Sequence, residues 1–243
     1  MTNSTKNTLF VISLFALLSC QSPVQQNIEA VNKPETQVLT AKEQGMLTPE
    51  TVIGDLKKGN ARFTANDLTP RDYPVQAKNS AKAQYPQAVI LSCLDSRVPV
   101  EQVFDQGIGD VFVARVAGNI VNNDILGSME YGCKVSGSKL IVVLGHQSCG
   151  AVKSAIAEVE LGNITTLLDK IQPAIAKSQD FTGEKSADNY DFVDYVGEMN
   201  VLVTMESIRE QSPILKEMEE KGEIKIVGAF YDLHTGAVEF LEN

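Results

Sequence analysis

Three runs, QAVILSC (87–93), DVFVARVAG (110–118) and SKLIVVLGH (138–146), are apolar at nearly every position and rich in β-branched residues. A strand with one solvated face alternates apolar and polar side chains. A run without alternation must be covered on both faces, as the strands of a parallel sheet are. Between the second and third runs, NDILGSMEYGCKV carries Ile125, Met129 and Cys133 at helical spacing, and Cys149 to Leu161 reads as a further helix. TPETVIGDLKKGNARF gives a helix with Thr48 as N-cap, Pro49 at the first helical position and Val52, Ile53, Leu56 and Phe63 on one side. An amphipathic segment (196–220) precedes a last strand, EIKIVGAFYDL (223–233), and TGAVEFL closes a terminal hairpin. The layout predicts an α/β fold with a central, mostly parallel β-sheet flanked by helices, and places chemistry where strands run out into loops.

At 243 residues, 43% hydrophobic and 21% charged, the chain is long enough to bury one substantial core. Its net charge of −10, with no basic block to offset it, argues against a nucleic-acid backbone or an anionic membrane surface as the main partner. The N-terminus is not part of the core. Lys6 precedes an apolar stretch from Leu9 to Leu18 that is too short to span a bilayer and ends in LLSC at Cys20. Residues 1–19 therefore read as a signal peptide. The sequence around Cys20 resembles a bacterial lipobox, which implies a lipidated Cys20 and an exported, periplasmic or cell-envelope lipoprotein, held to a membrane through that lipid only. Residues 20–45 read as the lipidated N-terminus and a flexible polar tether, and 46–243 as the folded domain.

With Cys20 assigned to export, Cys93, Cys133 and Cys149 are left, with two histidines. Cys93 closes the first run, and His146 and Cys149 close the third. Neighbouring parallel strands would bring all three side chains to one sheet edge. Two thiolates and an imidazole with a vacant fourth position match catalytic zinc better than a closed structural site. Read by themselves, the same residues also fit a core histidine beside an ordinary cysteine, or a Cys93–Cys149 disulfide in an exported chain. Cys133 sits on a helical face and reads as core packing; His234, near the terminal hairpin, reads as structural.

CLDSRVP adds Asp95 and Arg97 immediately after Cys93. Cys93, Asp95, Arg97, His146 and Cys149 together resemble the zinc signature of the β-class carbonic anhydrases, C-x-D-S-R followed by H-x-x-C, over a span from about Thr48 to the C-terminus. The resemblance implies one zinc ion per chain on Cys93, His146 and Cys149, and reversible hydration of carbon dioxide to bicarbonate and a proton by hydroxide on that zinc. It also implies that Arg97 holds Asp95, a pure acceptor when ionised, off the metal. Two thiolates cancel the charge of the ion, so activity is expected to climb above neutral pH. Gln84, Phe112 and Tyr131 match substrate-site positions of the plant-type subgroup, in which they would come from a neighbouring subunit, and Gly150 follows the last ligand as in the family, at a substrate-binding position. A homodimer or higher homo-oligomer follows. The chain has no tryptophan, unlike the subgroup with a regulatory bicarbonate pocket, and it reads RVAGN (115–119) where the plant-type pattern has RNIAN.

Three rival readings accompany this one. The same scaffold could hydrolyse carbon disulfide or carbonyl sulfide; a non-catalytic zinc-stabilised lipoprotein could present a binding surface; a disulfide-bonded exported protein would hold no metal. Asp95, Arg97 and Gln84 disfavour the second, because a structural zinc site has no use for them.

Overall fold

The computed structural model describes Met1 and residues 34–241. The expected signal peptide, Cys20 and most of the expected tether lie outside the described residues. The elements follow in chain order: α1 (Ala41–Met46), α2 (Pro49–Thr64), α3 (Tyr73–Ser80), β1 (Ala88–Ser92), α4 (Val100–Val103), β2 (Val111–Arg115), α5 (Asn123–Glu130) continued by a π-helical turn (Tyr131–Val135), β3 (Leu140–His146), α6 (Gly150–Ile156), α7 (Asn163–Leu168), α8 (Gln172–Lys177), α9 (Tyr190–Gln211), α10 (Pro213–Glu220), β4 (Lys225–Tyr231) and β5 (Val238–Phe240).

The strands form one sheet in the order β2-β1-β3-β4-β5. The first four are parallel, with Ala88 opposite both Val111 and Leu140, and Leu140 opposite Lys225. Only β5 runs antiparallel, as the terminal hairpin requires. The absence of alternation in the apolar runs has the expected cause. On one face Val89, Leu91, Ile141 and Val143 pack under Val201, Met205 and Ile208 of α9. On the other, Ile90, Leu140, Val142 and Leu144 meet Val52 and Leu56 of α2 and Phe104. Each such fully buried side chain contributes roughly 1.5–3 kcal/mol.

Thr48 caps α2 reciprocally with Thr51, and Pro49 occupies the first turn as its spacing predicts. Four expectations need correction. The unbroken apolar run 110–118 predicts cover on both faces, but β2 is an outer strand of the sheet, and Val111 to Ala114 are only partly buried. The helix expected from Cys149 to Leu161 stops at Ile156, where Glu158 enters the left-handed region at φ 51°. The segment 196–220 is two helices: α9 starts earlier, capped by Asn189, and breaks at Ser212, which is forced out of the helical region by Pro213. The end of the expected tether is packed structure. Glu35 exchanges backbone hydrogen bonds with Pro70 and Asp72, α1 is closed by a capping box from Thr40, and buried Gln44 donates from Nε2 to the carbonyls of Pro86 and Ser136 at 2.8 Å each. Among the described residues no helix is long and apolar enough to cross a membrane.

Candidate metal centre

Adjacent strands β1 and β3 run in register, Ser92 opposite Leu144, so the residues that follow them emerge at the same sheet edge. Cys93 comes one residue after β1, and His146 is the last residue of β3. Cys149 stands at the head of α6, after a tight turn through Ser148. All three are buried, and one ligand atom from each lies within 4.8 Å of the others. An apolar cluster that includes Val152, Ile171, Phe192 and Val196 packs around the two cysteines.

The tautomer of His146 follows from its partner. Nδ1 lies 2.8 Å from the carbonyl oxygen of Gln147, which can only accept, so Nδ1 carries the hydrogen. Nε2 then presents a lone pair, and it is fully buried with no hydrogen-bond partner. Such an orphan is costly unless something fills it. The two sulfurs are 3.9 Å apart, about twice a disulfide bond length, and both cysteines are free, which removes the disulfide reading. The Gly118 N–H points at Cys93 Sγ at 3.4 Å. A hydrogen bond from Cys149, with the Gly118 N–H beside it, outweighs burial and holds the Cys93 thiol well below the usual thiol range. Cys149 is pushed up by that same bond and by burial. Two soft sulfur donors, an imidazole nitrogen with an unfilled lone pair and a dry surround are the donor set that suits zinc.

Asp95 borders this trio. Its Oδ2 lies 3.9 Å from His146 Nε2. Arg97 binds both carboxylate oxygens, Nε to Oδ1 at 2.9 Å and Nη2 to Oδ2 at 2.7 Å, and its backbone N–H adds a third bond to Oδ1 at 2.9 Å. This forked grip holds the carboxyl at about 2, below the usual carboxylate range, so it is an acceptor throughout the neutral region. Arg115 ties the loop from behind, donating to the carbonyls of Cys93 and Asp95.

A family model described as carbonic anhydrase matches residues 88–238, a span that contains all five of these residues. The chain belongs to the carbonic anhydrase family, in its β class. Carbonic anhydrase of Mycolicibacterium smegmatis is 38% identical over 190 residues, covering 76% of this chain and 89% of the relative. Carbonic anhydrase 2 of Mycobacterium tuberculosis is 36% identical over 187 residues, covering 74% and 87%. Among solved structures, the Coccomyxa β-carbonic anhydrase in complex with acetazolamide superposes with a TM-score of 0.60 at 27% identity, covering 79% of this chain and 85% of that one. One of two tetrameric β-carbonic anhydrases from Sordaria macrospora gives 0.63 at 23% identity, covering 80% and 98%.

In this β-carbonic anhydrase the other expected site residues do not gather at the cysteine–histidine trio of their own chain. Phe112 and Tyr131 line a half-open groove of about 740 Å³ between β2 and α5, ring centroids 6.4 Å apart, with Val89, Ala114, Ile125 and Ser128. Gln84 is exposed in the loop before β1, facing Ile108 and Gly109. Gly150 opens α6, where an added Cβ would meet nothing within 4 Å. Cys133 is core, its thiol pushed up to about 12 by burial, and His234 sits exposed in the β4–β5 turn.

Sequence reasoning missed the supports. Gly118 has φ 70°, and a Cβ there would come within 2.8 Å of Ile171 Cδ1. Asn200 of α9 donates to its carbonyl at 2.8 Å. Asp194, also on α9, accepts from the Ser148 N–H at 2.6 Å. Burial raises the Asp194 pKa, against that bond and the attraction of His146. Only Gly118, as a turn glycine in RVAGN, left a signal in the sequence.

Proposed function

We propose that this domain catalyses the reversible hydration of carbon dioxide to bicarbonate and a proton, as a zinc-dependent carbonate dehydratase. The observation that carries this reading is the buried orphan nitrogen of His146, set between two sulfurs and beside a carboxylate that three hydrogen bonds from Arg97 keep turned. Cys93 Sγ, His146 Nε2 and Cys149 Sγ would hold the ion. Zinc bound there would acidify water and so supply a nucleophile near neutral pH. The chain's own contribution is orientation. Asp95, ionised and unable to donate, would accept a hydrogen bond from the attacking water species and so turn a lone pair toward the substrate carbon. Arg97 keeps Asp95 from becoming a further ligand. The apolar cluster packs around the two sulfurs, while Asp95 and Arg97 stand at its solvent edge.

The finer reading is a plant-type site shared between subunits. Its support is geometric: Gln84, Phe112 and Tyr131 lie away from the trio of their own chain, and the groove bearing Phe112 and Tyr131 flanks a half-buried outer strand. A second copy laid against β2 and α5 would cover that strand and carry these side chains toward its partner's zinc. This placement supports a homodimer or higher homo-oligomer. Cys20 as a lipidation site, residues 1–19 as a signal and an envelope location complete the proposal, resting on the lipobox pattern alone.

Stopped-flow hydration of carbon dioxide by the protein lacking residues 1–20, paired with its zinc content, tests the reading. Zinc near one per chain with fast hydration supports it; zinc without hydration would move the assignment to a binding lipoprotein or an altered substrate.

A further inference from the structure

The peptide unit joining Gln147 to Ser148 is hydrogen-bonded at both ends, and both partners bear on the site. Its carbonyl oxygen accepts the Nδ1 hydrogen of His146 at 2.8 Å. Its N–H donates to Asp194 Oδ1 at 2.6 Å, a contact reached across 46 residues of chain from helix α9. The order in space is carboxylate, peptide, imidazole, and the imidazole ends in the buried, unpartnered Nε2. The residue in the middle is also the one least at ease: Ser148 has φ 52°, in the left-handed region that a side chain disfavours.

A peptide group polarises as a whole. A negative charge drawing on its N–H pushes electron density onto its carbonyl oxygen, and that oxygen then accepts more strongly, which is how chains of hydrogen bonds reinforce one another in a low-dielectric interior. A stronger pull on Nδ1–H raises the basicity of the far ring nitrogen and fixes the ring's direction, the role that carboxylates and carbonyls commonly fill behind ligating histidines.

We propose that Asp194 is a positioning residue that acts on His146 through the Gln147–Ser148 peptide, both holding the left-handed turn between His146 and Cys149 and making His146 Nε2 a stronger metal donor. This rests on the metal reading given above. Gln147 is pinned independently, its N–H to the Tyr231 carbonyl at 3.1 Å and its side-chain oxygen to the Leu233 N–H at 3.1 Å, so the peptide has little freedom except at its Ser148 end. Asp194 supplies the restraint there.

The test uses Asp194→Asn, which keeps an oxygen for the Ser148 N–H and removes the charge. The His146 Nδ1–H proton resonance is measured in metal-free and zinc-loaded protein, and zinc affinity is measured by chelator competition. The expected result is an upfield shift of that proton in both forms and a loss of zinc affinity of about tenfold. An unshifted proton with unchanged affinity overturns the proposal. The same substitution in a Ser148→Gly background separates the two roles, because glycine adopts the turn without restraint. Persistence of the shift supports action through the peptide; its disappearance means that Asp194 only holds the turn, and overturns it. If the wild-type protein binds no zinc, the metal reading fails, while the metal-free resonance still decides whether Asp194 acts on His146.

Discussion

The Asp95 carboxylate stops 3.9 Å from His146 Nε2 because Arg97 holds both of its oxygens. The side chain best placed to intrude on the metal position is thereby restrained by a residue two positions along the same loop. Arg97→Ala removes the restraint. Turnover is expected to fall at least 10- to 100-fold, while zinc content, read by atomic emission, stays near that of the parent protein. Loss of zinc from the variant would instead make Arg97 a structural residue.

Gly118 is committed three times over: its φ is positive, its N–H serves Cys93 Sγ, and a Cβ would collide with Ile171. Gly118→Ala is expected to cost about 1–3 kcal/mol in urea denaturation and to weaken zinc binding. A variant as stable as the parent would show that the turn can relax without disturbing the sulfur.

Far from the site, Asp105 is almost wholly buried between Arg62 and Arg71 and accepts the Thr69 hydroxyl hydrogen at 2.7 Å. Burial alone would raise its pKa, but the Arg71, Thr69 and Arg62 hydrogen bonds win and lower it. A carboxyl whose folded pKa is depressed contributes stability that is present above its unfolded value of about 3.9 and is lost as pH falls through the folded value. Asp105→Asn should therefore cost about 3 kcal/mol at pH 7. Denaturation curves at several pH values should show this gap narrowing below about pH 4. A gap independent of pH would mean that the charge on Asp105 is not what stabilises the pair.

Ser128 lies exposed on the wall of the groove that bears Phe112 and Tyr131. Ser128→Arg should leave the monomer's core untouched and obstruct a second copy. Sedimentation equilibrium is expected to report half the parent mass, with activity falling alongside. An unchanged mass would place the subunit interface elsewhere.

How much of this was legible in the sequence depended on whether a residue's role is local. The strands were, because a run covered on both faces has no polar positions to interrupt it. Cys93, Asp95, Arg97, His146 and Cys149 were, because each lies within a few residues of a strand end. Gln44 was not: a buried glutamine satisfied by the Pro86 and Ser136 carbonyls looks, in sequence, like a solvated one. Asp194 and Asn200 were hidden for the same reason, since their partners come from distant segments. The partial exposure of β2 was invisible because Phe112 and Ala114 have the composition of a core strand whatever later covers them.

His146 ends a strand buried along its whole length, and Cys93 follows that strand's neighbour. Cys149 instead hangs beyond a turn. Amide protons along β1 and β3 should exchange with solvent only when the entire domain opens, whereas those of Gln147 and Ser148 are guarded by single bonds to the Tyr231 carbonyl and to Asp194. Two of the three anchors are thus as durable as the sheet itself, and the third is as durable as the hydrogen bonds of Gln147 and Ser148 that hold its turn.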